Sequence, residues 1–345
     1  MIEDRAAADG LEPDVVEAVT APEGPRKSRW IVVGVLLAVL LLLPLTRPFI
    51  GSYNYWILIA TNVLMWVAMA SSWNILGGYA GYISLGHAVF FGVGGYVAAV
   101  PLYYYGVSPF LTAVVGGLAA VALGLVAGLI TLRTRGPAFI ISTIALLFMF
   151  LLIFENSDYL GGTAGLPLPS LDLVPQEWRK APFYYAMLIA AVGSIVLSYQ
   201  VAHSKFGLGL RAIAEDETKA EVAGVPTRFY KILAFALSAF WVGFVGAMWG
   251  YSLAFARPTL FFTVAISAEM VLMAIIGGRA TVAGPVIGAV LIYAVNEFSI
   301  VQFGSSEINI VIVGVLLVTV LLFFPVGIVG SLRDKGRLPA FLNWD

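Results

Sequence analysis

The chain has 345 residues, 60% of them hydrophobic and 11% Asp, Glu, Lys or Arg, whereas a soluble domain carries about 25% charged residues. A net charge of −1 offers no basic surface for nucleic acid. Cysteine is absent and the only histidines are His87 and His203, which excludes disulfides and thiolate chemistry and leaves little for a metal. There is no GxxxxGK[ST] phosphate loop and no Gly-Lys dipeptide, so any ATP must be used on another polypeptide, and no cofactor is expected.

Residues 1–29, rich in Ala, Glu, Asp and Pro, read as a disordered cytoplasmic tail. The apolar run after Arg26-Lys27-Ser28-Arg29 lacks an A-x-A site after Leu45 and reads as a retained membrane helix. A hydrocarbon core ~30 Å thick needs ~20 apolar residues per helix. Ten segments meet this loosely: 30–46, 54–74, 87–105, 110–132, 138–154, 182–200, 229–253, 262–277, 285–303 and 308–329. The expected fold class is all-α, a polytopic membrane protein with a transmembrane domain over 30–330 and a cytoplasmic C-terminal tail over 331–345. Pro44 and Pro48 interrupt the first segment. Residues 74–86 read as irregular backbone at membrane depth, which is tolerated only where protein lines it.

Lys and Arg set the orientation. Ten spans with an inside N-terminus place fifteen of the nineteen on the inner side; Arg47, Arg179, Lys180 and Arg257 lie outside. Both termini are then cytoplasmic. A long outer loop covers about 155–181 and a charged inner loop covers 201–228. Within the inner loop, 211–224 reads as a short helix. Glu215, Asp216 and Glu217 crowd its start, where the helix dipole favours them. Glu215 and Lys219 have i,i+4 spacing in the better order. Gly224 suits the position past the end, and Pro226 blocks continuation. Ala220, Val222 and Ala223 leave a small apolar surface. The stretch is either a solvated loop or a rigid knob that seats in a partner's groove.

The stretch resembles the coupling loop of ABC-importer permeases, on Ala220, Gly224 and the preceding acidic residues. Three further motifs look like the branched-chain amino-acid permeases of the high-affinity leucine/isoleucine/valine importer: the glycine-rich run Asn74–Tyr96, Gly161-Gly-Thr-Ala-Gly-Leu166, and Ser267–Pro285. The likeness covers roughly 30–330, and its motif order is that of the M-type membrane subunit. Tyr82 stands where Gln is common, and Arg279 where Leu is common. The resemblance implies a type II ABC-importer-like permease in the cytoplasmic membrane. It also implies a homologous second permease in a heterodimer, two cytoplasmic ATP-binding subunits and an extracytoplasmic solute-binding protein. Its cargo would be branched-chain amino acids, or urea and short-chain amides, which the motifs do not separate. The ATPase-coupling residues it points to are Arg211, Glu215, Asp216, Glu217, Ala220 and Gly224. The pathway or gate residues are Gly77, Gly78, Gly81, Ser84, Gly86, His87, Glu269, Gly277 and Gly278.

A carboxylate within a span is expensive, so Glu269 should face a neighbouring helix or the solute path. His87 reads first as a hydrogen-bonded structural residue and second as a proton relay. Ile75-Leu-Gly-Gly-Tyr-Ala80 echoes Ile275-Ile-Gly-Gly-Arg-Ala280, both at the inner face. An ion-coupled carrier would need more paired intramembrane charge than Glu269 and Glu297. A membrane enzyme would need a polar cluster at one depth, and a passive channel would need no docking helix.

Overall fold

A computed structural model describes residues 26–49, 53–169, 178–304 and 326–336, with scattered positions between 311 and 324 and at 339. Most of the expected N-terminal tail, much of the tenth segment and part of the 155–181 loop and C-terminal tail lie outside the described residues.

Helix α1 (Arg26–Leu42) begins inside the stretch read as tail and passes into a 3-10 turn, Leu43–Phe49. Pro44 and Pro48 there lack the N–H groups an α-helix would need. Helix α2 (Tyr53–Asn74) ends in a π-helical turn, Ile75–Tyr79, and then non-helical backbone as far as His87. The irregularity expected over 74–86 is therefore real. Helices α3 (Ala88–Tyr105), α4 (Pro109–Thr131) and α5 (Pro137–Glu155) follow through tight connections. Gly106 (φ 67°) and Gly136 (φ 56°) take the left-handed turns, and Pro109 and Pro137 open the next helices, where a missing N–H is harmless.

Helix α6 (Ala181–Ala202) leads to two short helices, α7 (Lys205–Glu215) and α8 (Glu217–Val222), and to the long α9 (Thr227–Ser252). One-turn α10 (Pro258–Phe261), α11 (Val264–Gly277), α12 (Gly284–Phe303) and α13 (Gly327–Asp334) complete the order. Among the described residues eight helices are long and apolar enough to cross a membrane, and Trp30–Thr46 is a shorter apolar helix. The eight correspond to the second to ninth expected segments.

Helix α9 is central. It packs most extensively on α4 and α3 and also touches α2 and α6, while α2 lies on α6 and α11 on α12. Apolar helices gain little from one another over lipid, so close packing must hold them, and small residues permit it. Gly94 of α3, Gly116 of α4 and Gly243 of α9 meet backbone to backbone. A Cβ on Gly116 would lie 2.9 Å from the Gly94 carbonyl oxygen, and one on Gly243 2.8 Å from that of Gly116. Gly246 and Gly250 of α9 face Phe91 and Phe261 of the same chain, so that face of α9 is packed internally.

A two-stranded sheet was not expected. β1 (Leu166–Pro167) pairs antiparallel with β2 (Phe255–Ala256), Leu166 opposite Ala256. Gly161 and Gly165, both left-handed, let the loop fold onto β2, and Tyr96 Oη donates to the Ala256 carbonyl at 3.2 Å. The sheet joins the α5–α6 and α9–α10 connections.

Gly94→Val should lower thermal stability of the detergent-solubilised chain by about 3 kcal/mol, because overpacking against backbone has no rotamer escape. Gly34→Val, with open space around it, should leave the melting temperature unchanged.

Candidate functional site: the junction of the α6–α9 connection with the broken end of α2

The helix expected over 211–224 is two helices. Asp216 is extended (φ −159°, ψ 106°), and its Oδ1 accepts from Thr218 N at 2.9 Å and Lys219 N at 3.1 Å. A short acidic side chain that bonds the following backbone competes with helix continuation, so Asp216 ends α7 and caps α8. Glu215 therefore closes α7 and Glu217 opens α8. The expected Glu215–Lys219 pair is replaced by a Lys219–Asp216 ion pair at 3.5 Å, largely exposed and worth little. Gly224 takes the left-handed position (φ 89°) past α8, as expected, and Val225 N donates to the Ala220 carbonyl. The expected apolar surface needs one correction. Ala220 is buried because α8 turns it toward the bundle. The outward face carries Lys219, Glu221, Val222 and Ala223, with Val222 86% exposed.

The inward face meets the segment after α2 at three successive points. The Arg211 guanidinium lies over the Tyr79 ring, 5.7 Å from its centroid. A Cβ on Gly81 (φ 72°) would sit 3.3 Å from Ala214 Cβ. Glu217 then receives the Tyr82 hydroxyl. Lys231, in the second turn of α9, completes the junction. Its ammonium donates to Glu217 Oε1 at 2.6 Å, to Tyr82 Oη at 3.1 Å and to the Leu132 carbonyl at 3.4 Å. Arg135 Nε lies 3.2 Å from Glu217 Oε2.

The two cations are not equivalent. The Lys231 side chain is 3% exposed and that of Arg135 is 56% exposed. An exposed ion pair contributes about 0–1 kcal/mol, whereas removing one partner of a buried pair costs about 3–5 kcal/mol. Lys231 is thus the member on which the cluster depends. Burial alone would push the Glu217 carboxyl up. Hydrogen bonds from Lys231 and Tyr82, with the charges of Lys231 and Arg135, outweigh it and hold the carboxyl below its ordinary 4.5.

The other expected gate residues mostly pack. Trp73 Nε1 donates to the Ser84 carbonyl at 2.9 Å, and its ring fills the space a Cβ on Gly77 would need. Asn74 Nδ2 donates to the Thr281 carbonyl at 2.9 Å, and its Oδ1 accepts from Ala280 N at 3.0 Å. Gly78 leaves room for that side chain. Asn74 thus links the two echoed Gly-Gly turns. Gly86 abuts Thr143, and Ser84 Oγ accepts from Gly86 N at 3.3 Å.

His87 is fully buried with Phe90 and Phe235 edge-on to its ring. Its Nε2 is 3.0 Å from Ser238 Oγ. The Ser238 hydroxyl donates to the Phe235 carbonyl at 2.8 Å, so Nε2 carries the shared proton. Nδ1 has no hydrogen-bond partner among the described residues, so no chain of donors and acceptors for a relay runs through the ring there. Gly277 and Gly278 are a packing point: Gly277 abuts Gly284 and Gly288, and Gly278 abuts α13 at Gly327 and Gly330. Glu269 lies apart on α11, half-buried, and no described residue hydrogen-bonds to it. In the sequence Lys231 and Arg135 are legible only as inner-side charges. The available signal was a lysine inside the first turns of an apolar span, just after an acidic cluster.

Residues 55–321 match the family described as branched-chain amino acid transport system, permease component. The chain is 24% identical over 328 residues to the high-affinity branched-chain amino acid transport system permease protein LivM of Escherichia coli K12, covering 88% of this chain and 76% of that protein. LivM of Salmonella typhimurium LT2 is 25% identical with the same coverage. BraD of Pseudomonas aeruginosa, a permease protein of the same kind of system, is 29% identical over 150 residues, 43% of this chain and 48% of BraD. No solved structure matches.

Glu217→Gln should destabilise the chain by about 3 kcal/mol at pH 7, because it leaves the Lys231 charge short of its partner. A carboxyl whose folded value is depressed contributes stability that is present above its unfolded value and lost as pH falls through the folded one. The difference in melting temperature from wild type should therefore be the same at pH 7 and pH 5.5, and should close only below 4.5.

Proposed function

The chain belongs to the branched-chain amino acid transport permease family, and from that premise we propose that it is the M-type membrane subunit of an ABC importer carrying branched-chain amino acids inward. The chain is a transport subunit, not an enzyme. Its full assembly pairs it with a homologous second permease, two cytoplasmic ATP-binding subunits and an extracytoplasmic binding protein. Residues 30–330 form the transmembrane domain, 201–228 its cytoplasmic coupling connection, and both termini are cytoplasmic. The lysine and arginine bias supports that orientation, because the basic residues of the 133–135, 205–231 and 279 regions all fall on the same side.

One observation carries the coupling reading. The α7–α8 unit presents Val222 and Ala223 outward while Arg211, Ala214 and Glu217 grip Tyr79, Gly81 and Tyr82. Partner ATPases that close on ATP push the outward face. The inward contacts pass that displacement to the broken end of α2 and the start of α3, and access alternates. The path is apolar, so selectivity rests mainly on the binding protein. Glu269, an ionisable group in a span without a described hydrogen-bond partner, faces the second permease or the solute path rather than lipid.

Proteoliposomes holding the complete transporter, loaded with ATP and supplied with binding protein, test this. Leucine uptake should require ATP, and Val222→Asp should cut both ATPase copurification and uptake at least about tenfold, the scale of a lost interface anchor. Uptake of urea but not leucine would reassign the cargo. Uptake driven by a sodium or proton gradient without ATPases would overturn the reading.

A further inference from the structure

We infer that Lys231 is a positioning residue for transport: its buried ammonium clamps the docking helix α8 to the Ala80–His87 segment so that the two move as one body. The inference rests on the coupling role proposed above for α7 and α8, and goes beyond it by naming what transmits the push.

Three chain segments meet at one nitrogen. The Lys231 ammonium binds Glu217 of α8, Tyr82 of the irregular segment and the Leu132 carbonyl at the end of α4. It also lies 4.8 Å from the Tyr82 ring centroid. If α8 moved without the segment, Glu217 would leave either the ammonium or the phenol unpaired in a site almost closed to water. A buried charge without its partner is costly enough that joint movement is the easier course. Two turns along the same face of α9, Ser238 binds His87. Helix α9 therefore grips the segment at both ends, through Tyr82 and through His87, and leaves little slack between them.

This geometry divides the coupling residues. Glu217, its side chain 10% exposed, faces the bundle and serves transmission. Val222 faces outward and serves contact with the partner. A purely structural lysine would affect how much transporter folds. A clamp affects how much solute moves per ATP consumed.

The complete transporter in proteoliposomes separates these with Lys231→Met and the double variant Lys231→Met/Glu217→Gln, which leaves no lone buried charge. Both variants should copurify with the ATPases in wild-type proportion and hydrolyse ATP. Uptake per ATP hydrolysed should fall about tenfold, within the range by which coupling residues act. Because the double variant removes both charges, it keeps the test open if Lys231→Met alone fails to fold. Wild-type uptake per ATP in either variant, whatever the protein yield, would overturn the clamp. Wild-type ATPase copurification and uptake in Val222→Asp would instead overturn the docking role of α8, an outcome readable independently of Lys231.

Discussion

A single ammonium group, buried at the foot of α9, sets the terms for the site. In a chain with so few charged residues, a lysine that has left water needs anionic and hydroxyl partners at close range. Lys231 finds them in Glu217 and Tyr82, which belong to different segments. The outward-facing helix α8 and the backbone that interrupts the membrane spans are thereby tied to one point. Arg135 adds its charge from the solvent side, where screening makes it a minor contributor.

Such a tie transmits displacement only if its surroundings are stiff. The glycine contacts among α3, α4 and α9 supply that stiffness, because helices whose backbones touch have no side chains to repack between them. Asn74 adds a second brace by bonding both the Ala280 amide and the Thr281 carbonyl. At the opposite end of these helices, the β1–β2 pair fastens the α5–α6 connection to the α9–α10 connection. The irregular backbone after α2 is thus held in a rigid frame, and its freedom to move lies in the direction in which α7 and α8 move with it.

The spans were legible because apolar runs of membrane length have few alternative readings, and the proline break after α1 and the irregular stretch after Asn74 were legible from their own residues. The helical character of the acidic inner connection was legible, but not its division into two helices. Three adjacent acidic residues fit a helix start equally well at any of them, and only the backbone at Asp216 decides that it caps α8. A six-residue helix has too little periodicity to reveal that Ala220 points inward. Lys231 was hidden because a lysine near a span end ordinarily reads as an orientation signal. Tyr82 showed only as a departure from the family's usual glutamine, and its role appears once its hydroxyl is seen between Lys231 and Glu217. Two-residue strands carry no alternation to detect.

Lys231 requires that α7–α8 and the segment after α2 move together. The chain has no cysteine, so Glu215→Cys and Ile83→Cys introduce the only two labelling sites on this subunit. Pulsed electron–electron resonance on the full transporter, spin-labelled at both sites, nucleotide-free and then trapped with ATP, measures the distance between them directly. One unchanged distance distribution is expected in both states, with leucine uptake by the same labelled preparation showing that the transporter still cycles. A 215–83 distance that changes on ATP trapping would contradict the joint movement.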